Sequence, residues 1–175
     1  LTEIIESVRN AVGDDFPLWC KLDSIEYGKT DGITLTDAIE TARLSEKAGV
    51  DAITVSAYHD ANRGALHSES NIPHVPNRMV SNAAAIKNSL SIPVIASGRI
   101  EPDSAEEHIA SGQYDFLGMG RKMLADPDLP KKLQAGTPTD IRPCIYCYCC
   151  VSQIYVLKQI KCAVNPEAGF EKERE

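Results

Sequence analysis

The chain lacks the marks of export and of membrane insertion: no basic stretch leads into an apolar core, there is no twin-arginine pair, and no apolar run is long enough to cross a bilayer. The expected setting is the reducing cytoplasm, where clustered cysteines bind metal more often than they pair. Positive charge is also in deficit, with 18 Lys and Arg against 25 Asp and Glu and a net charge of −7. Such a surface is not attracted to a nucleic-acid backbone or an anionic membrane, so the expected partner is a small molecule or a protein. Basic side chains can still gather locally around a phosphate or coenzyme A. No G-x-G-x-x-G follows the first predicted strand, which disfavours a dinucleotide-binding fold. The 175 residues, 43% hydrophobic and 25% charged, can bury a sizeable core and show no disorder signature before the tail at 171–175.

What is present in excess is cysteine, and it is concentrated. Five of the six cysteines fall between Cys144 and Cys162, a run of 19 residues. Taking Cys144, Cys147, Cys150 and Cys162 as ligands gives C-x2-C-x2-C-x11-C. A tight loop of three thiolates can face three corners of an iron–sulfur cubane, with a remote cysteine closing the fourth. Zinc also takes four sulfurs, but usually from two separated C-x2-C pairs, and disulfides or free thiols are the remaining reading. Cys149 is left over and could replace Cys150 as third ligand. The x2 spacing favours Cys150, because it leaves enough backbone to aim both sulfurs inward.

Along the body, apolar runs of strand length alternate with helical patterns. Thr2 is expected to cap a helix carrying Ile4, Ile5, Val8 and Val12, stopped by Gly13. Strands are expected over 17–22, 52–56, 92–96 and 115–119. Helices are expected from Thr36 to Gly49, around Asn77 to Leu90, and from an Asp103 or Ser104 cap to near Gly112. Nearly continuous apolar strands separated by helices call for a parallel sheet. Four βα units fit an open doubly wound sheet or half of a (β/α)8 barrel.

The residues at the predicted strand ends favour the barrel, whose enzymes place their sites there. These are Lys21, the 56–59 segment ending in Tyr58 and His59, Ser97-Gly98-Arg99, and Gly118-Met119-Gly120-Arg121. Glycines at 98, 118 and 120 can bring backbone N–H groups close to an anion, Arg99 and Arg121 can add charge-assisted hydrogen bonds, and a helix after Gly120 adds its dipole. Taken alone, each glycine is more often just turn chemistry. Trp19 and Cys20 read as packing residues, Asp23 and Glu26 as solvated loop residues, His108 as solvent-facing, and His67 and His74 as surface or substrate-rim residues.

Together these segments resemble the C-terminal half of the old yellow enzyme barrel. The resemblance is carried by Lys21, Tyr58-His59-Asp60-Ala61-Asn62-Arg63, the 92–100 segment and the 115–121 segment. Leu124-Ala125-Asp126-Pro127-Asp128-Leu129, Arg142-Pro143-Cys144-Ile145 and Cys162-Ala163-Val164-Asn165-Pro166 are similar to the iron–sulfur branch, which includes 2,4-dienoyl-CoA reductase, trimethylamine dehydrogenase and related NADH:flavin oxidoreductases. The resemblance implies FMN at the mouth of a (β/α)8 barrel with a 4Fe-4S cluster nearby, and hydride passed to an activated C=C bond or taken from an amine. By the same resemblance, Lys21 contacts the flavin ring near N1, and Ser97, Gly98, Arg99, Gly118, Gly120 and Arg121 match the phosphate-binding segments. Cys144, Cys147, Cys150 and Cys162 match the cluster ligands, and His59 matches a proton-handling histidine. The x2 spacing between the second and third cysteines is closer to trimethylamine dehydrogenase than to dienoyl-CoA reductase, which leaves the substrate open among enoyl-CoA, enone and amine.

The resemblance divides the chain into a half-barrel at 1–140, a cysteine-rich iron–sulfur segment at 141–170 and a tail or linker at 171–175. A full barrel needs eight βα units and four are present, so the missing half is expected from the same longer chain, from another subunit or from a second copy. NAD(P)H, and FAD, would bind in domains absent from this chain. The contrasting expectation is a non-catalytic electron-relay or structural module with zinc in the cysteine site.

Overall fold

The computed structural model describes residues 1–59 and 76–173, with Tyr58 and His59 described by their backbone alone. Asp60 to Arg63, His67, His74 and the last two residues of the tail lie outside the described residues. Two compact units are present, 1–118 and 119–175.

The first unit is a four-stranded parallel sheet in the order β1-β2-β3-β4, with β1 at Trp19–Tyr27, β2 at Ala52–His59, β3 at Val94–Ser97 and β4 at Phe116–Gly118. Its described helices are α1 (Thr2–Val12), α2 (Leu35–Lys47), α3 (Val80–Lys87) and α4 (Pro102–Ala110). Alternate strand residues, including Ile53, Val55, Val94 and Ala96, are fully buried with Ala42, Ala83 and Ile86 of the helices, so one sheet face and the helices share one core. The other parity forms a row across the sheet, in which Lys21 is level with Thr54, Thr54 with Ile95 and Ile95 with Phe116. On this second face Trp19 is 58% exposed and Phe116 57%. Trp19 is therefore not a packing residue, because its strand position puts it opposite the helical layer; Cys20, one residue on, does pack against the core.

Element ends are set by chemistry more local than apolar periodicity. Thr2 lies inside α1, whose N-cap is Leu1, and of the expected stripe only Ile5 is buried, while Ile4, Val8 and Val12 are exposed. Thr34, not Thr36, caps α2: its hydroxyl accepts from Asp37 N while the Asp37 carboxylate accepts from Thr34 N at 2.9 Å, a reciprocal arrangement that satisfies two helix-end donors. The third helix starts late because Asn77 is left-handed (φ 64°) with its N–H on the Arg99 carbonyl. Glu101 precedes α4, and Pro102 takes its first position, where a missing N–H costs no intrahelical bond. β1 runs on to Tyr27, with a register shift between Asp23 and Glu26. Both acids are therefore structural: Asp23 accepts from Ser56 Oγ at 2.5 Å and Glu26 from Ile33 N at 2.9 Å. His108 is half-buried against Tyr114, with ring centroids 6.1 Å apart, and not solvent-facing.

The second unit has little apolar core. It contains α5 (Arg121–Ala125), α6 (Leu129–Gln134), α7 (Cys149–Tyr155) and short 3-10 turns at Pro138–Asp140 and Glu171–Glu173. Ala125, Leu129 and Ala168 are buried, but so are Lys122, Asp126 and Asn165. Hydrogen bonds from these polar groups hold the unit together. Among the described residues no helix is long and apolar enough to cross a membrane.

Candidate cluster and flavin sites

The cysteine segment is pinned at both ends to α5 and the residue after it. Before Cys144, the Arg142 backbone N–H donates to Asp126 Oδ2 at 2.8 Å and the Arg142 guanidinium donates to the Ala125 carbonyl at 3.3 Å. After Cys162, Asn165 Nδ2 donates to the Leu124 carbonyl at 2.9 Å. Asp126 also accepts from Lys132 Nζ at 2.7 Å. Burial pushes the Asp126 carboxyl up, but Lys132 and the Arg142 N–H outweigh it and hold it below the usual carboxylate range.

Between these clasps the chain folds into a recess lined by Cys144, Cys147, Cys149, Cys150 and Cys162, together with Arg121, Tyr146 and Tyr148. All five cysteines are free thiols. Tyr146 (φ 53°) and Tyr148 (φ 60°) are both left-handed, so the backbone turns sharply on each side of Cys147, and α7 begins at Cys149. Among the described residues no three His, Cys, Asp or Glu side chains converge closely enough to hold one metal ion. Five thiols around one recess are a donor set that suits a metal ion or an iron–sulfur cluster. Burial raises the Cys150 thiol, and the neighbouring Cys144 raises it further, while Arg121 opposes both.

Arg121 is a cation lining this recess. Its guanidinium lies 5.2 Å from the Tyr146 ring centroid and 5.4 Å from that of Tyr148, and its Nη1 is buried with no hydrogen-bond partner among the described residues. Lys122, 7% exposed, donates to Tyr146 Oη and lies 5.0 Å from the same ring. Neither Lys122 nor the tyrosines were singled out in the sequence. An R-K pair and a Y-x-Y pair 24 residues apart carry no spacing rule that joins them.

In the first unit, Lys21 is exposed on the second sheet face, level with Thr54. Gly98 follows β3 at φ 118°, a conformation favouring glycine, and Gly118 sits where an added Cβ would meet Ile95 and Ser97 at 3.4 Å. Ser97 Oγ donates to the Val55 carbonyl at 2.7 Å, and the Arg99 carbonyl accepts from Asn77 N. Gly120 and Arg121 belong to the second unit, Gly120 as the residue before α5 with open space around its Cα. His59 ends β2, in register with Tyr27. At the same strand ends Arg78 stacks on Tyr27 at 5.0 Å, a second cation that sequence reasoning did not identify.

Parallel strands alternating with helices, with loops bearing basic and glycine residues at the strand C-termini, define a portion of a (β/α)8-barrel enzyme. The chain belongs to the NADH:flavin oxidoreductase / NADH oxidase family, whose model matches residues 1–140. It is 38% identical over 178 residues to a metal reductase of Desulforamulus reducens, covering 98% of this chain and 25% of that protein. To an NADH oxidase of Thermoanaerobacter brockii it is 37% identical over 172 residues, covering 97% of this chain and 26% of that protein. Among solved structures, a 2-naphthoyl-CoA reductase in complex with 2-naphthoyl-CoA superposes with a TM-score of 0.90 at 31% identity, covering 99% of this chain and 26% of that one. The chain thus spans about a quarter of the length of the relatives it matches. Its four βα units are those of the C-terminal half of the barrel.

Proposed function

We propose that this chain is the C-terminal half-barrel and cluster-binding segment of a cytoplasmic oxidoreductase that uses FMN and a 4Fe-4S cluster to deliver NAD(P)H-derived electrons to an activated C=C bond, as in an enoyl-CoA or enone. The observation that carries the reading is the recess with five free cysteines around it and Arg121 beside it. When bound, FMN supplies the hydride carrier and the cluster supplies single-electron capacity.

The chain's own residues bind and bias these groups. Cys144, Cys147, Cys150 and Cys162 hold the cluster, with Cys149 outside the ligand set. Lys21 offers an ammonium on the exposed sheet face, where it stabilises negative charge on the flavin ring. Ser97, Gly98, Arg99, Gly118, Gly120 and Arg121 are assigned to the FMN phosphate on their match to the family segments. The Arg121 guanidinium is stacked on tyrosines, so its share in phosphate binding falls to its backbone N–H. His59, at the end of β2, delivers a proton to the substrate; an imidazole with an ordinary pKa of about 6.5 suits that task near neutral pH.

The reductase direction and an acyl-CoA substrate draw support from the naphthoyl-CoA reductase likeness. The exposed Trp19 and Phe116 support a further portion of the same longer chain covering the second sheet face. The test is anaerobic addition of NADH to the complete protein with an enoyl-CoA acceptor: bleaching of flavin absorbance and its return with acceptor support the reading, and an unchanged flavin spectrum contradicts it.

A further inference from the structure

We infer that Lys122, acting through Tyr146, is a built-in electrostatic control on the reduction potential of the group held by the cysteines. The inference rests on the cluster reading above and adds to it a residue outside the expected ligand set.

Lys122 is the second residue of α5 and is 7% exposed, a rare environment for an ammonium. Burying a charge costs several kcal/mol unless something offsets it. One of its partners is Tyr146, to whose Oη it donates a hydrogen bond. Arg121 stacks on the ring of Tyr146 at 5.2 Å. Two cations therefore adjoin Tyr146, a residue that lines the cysteine recess, Lys122 at its hydroxyl and Arg121 at its ring, in a chain whose net charge is −7.

Four thiolates around an iron–sulfur core leave it negative overall, and reduction adds one more electron. A fixed cation in a poorly solvated position lowers the energy of the more negative state, so the pair raises the potential. Tyr146 holds the ammonium by its oxygen and itself lines the recess.

The experiment is a potentiometric titration, followed by electron paramagnetic resonance, of anaerobically purified holoprotein, with iron and sulfide measured on every sample. Lys122→Met keeps the aliphatic stem and removes the charge. It is expected to lower the midpoint potential by about 59 mV, a tenfold change in a one-electron equilibrium. Tyr146→Phe, which keeps the ring and removes the oxygen, should shift it in the same direction by less. Lys122→Arg should stay close to wild type, and Lys158→Met, at an exposed position outside the recess, should not move it. Full iron content with an unchanged potential in Lys122→Met overturns the inference. If that variant loses iron, an iron-replete Tyr146→Phe at the wild-type potential overturns it instead. Wild-type protein without iron or sulfide overturns the cluster reading itself, and the inference with it.

Discussion

Asp126 and Arg142 meet through the chain's backbone: the Arg142 N–H donates to Asp126 Oδ2 at 2.8 Å, and the same oxygen takes the Lys132 ammonium at 2.7 Å. One carboxylate, 2% exposed as a residue, thereby fixes where the cysteine segment departs from α5. The Ala125-Asp126-Pro127 run has a mechanical meaning, since its acid is the peg on which the loop before Cys144 hangs.

Asp126→Ala leaves the Arg142 backbone N–H without its acceptor and the Lys132 ammonium with only the Asp140 carbonyl of its two acceptors, and should cost about 2–3 kcal/mol. Denaturant melts of the apoprotein check the magnitude. Asp126→Asn, which can still accept from Arg142 N, should lose less.

The same carboxylate gives a pH dependence. Its folded pKa lies below the ordinary value, so its contribution is complete above the unfolded pKa of about 3.9 and is lost as pH falls through the depressed folded value. Acid unfolding followed by circular dichroism should show wild type losing stability below about pH 4 more steeply than Asp126→Asn.

Asn165 is the second clasp, with its amide on the Leu124 carbonyl and its own side-chain oxygen accepting from Glu167 N at 3.2 Å. Asn165→Ala should destabilise by about 1–2 kcal/mol and release iron to a chelator faster than wild type, which a timed absorbance assay reads directly.

Gly169 is required for a different reason. It lies at φ 84°, and an added Cβ would come within 2.3 Å of the Ile160 carbonyl oxygen, a backbone atom that cannot swing aside. Gly169→Ala should cost about 2 kcal/mol or more, from the left-handed conformation and the forced backbone shift together. Thermal melts check it.

The βα alternation was legible because buried parallel strands need apolar residues nearly throughout, and Ile53, Val55, Val94 and Ala96 supply them. Element ends were less legible: Thr34, not the expected Thr36, caps α2, and only the carboxylate of Asp37 reaching back to Thr34 decides it. Trp19 misled because strand alternation alone does not say which face is covered. That the cysteines line one recess was legible from their spacing, whereas the contacts of Lys122, Tyr146 and Arg78 were not, because they join residues that form no motif along the chain.

The most direct test of the central claim is elemental and cofactor analysis of anaerobically purified protein, with Cys149→Ser and Cys150→Ser measured beside wild type. About four iron and four sulfide per chain, retained in Cys149→Ser, lost in Cys150→Ser and accompanied by FMN, are expected. Zinc without sulfide or flavin would contradict the account and make the cysteine loop a structural clasp.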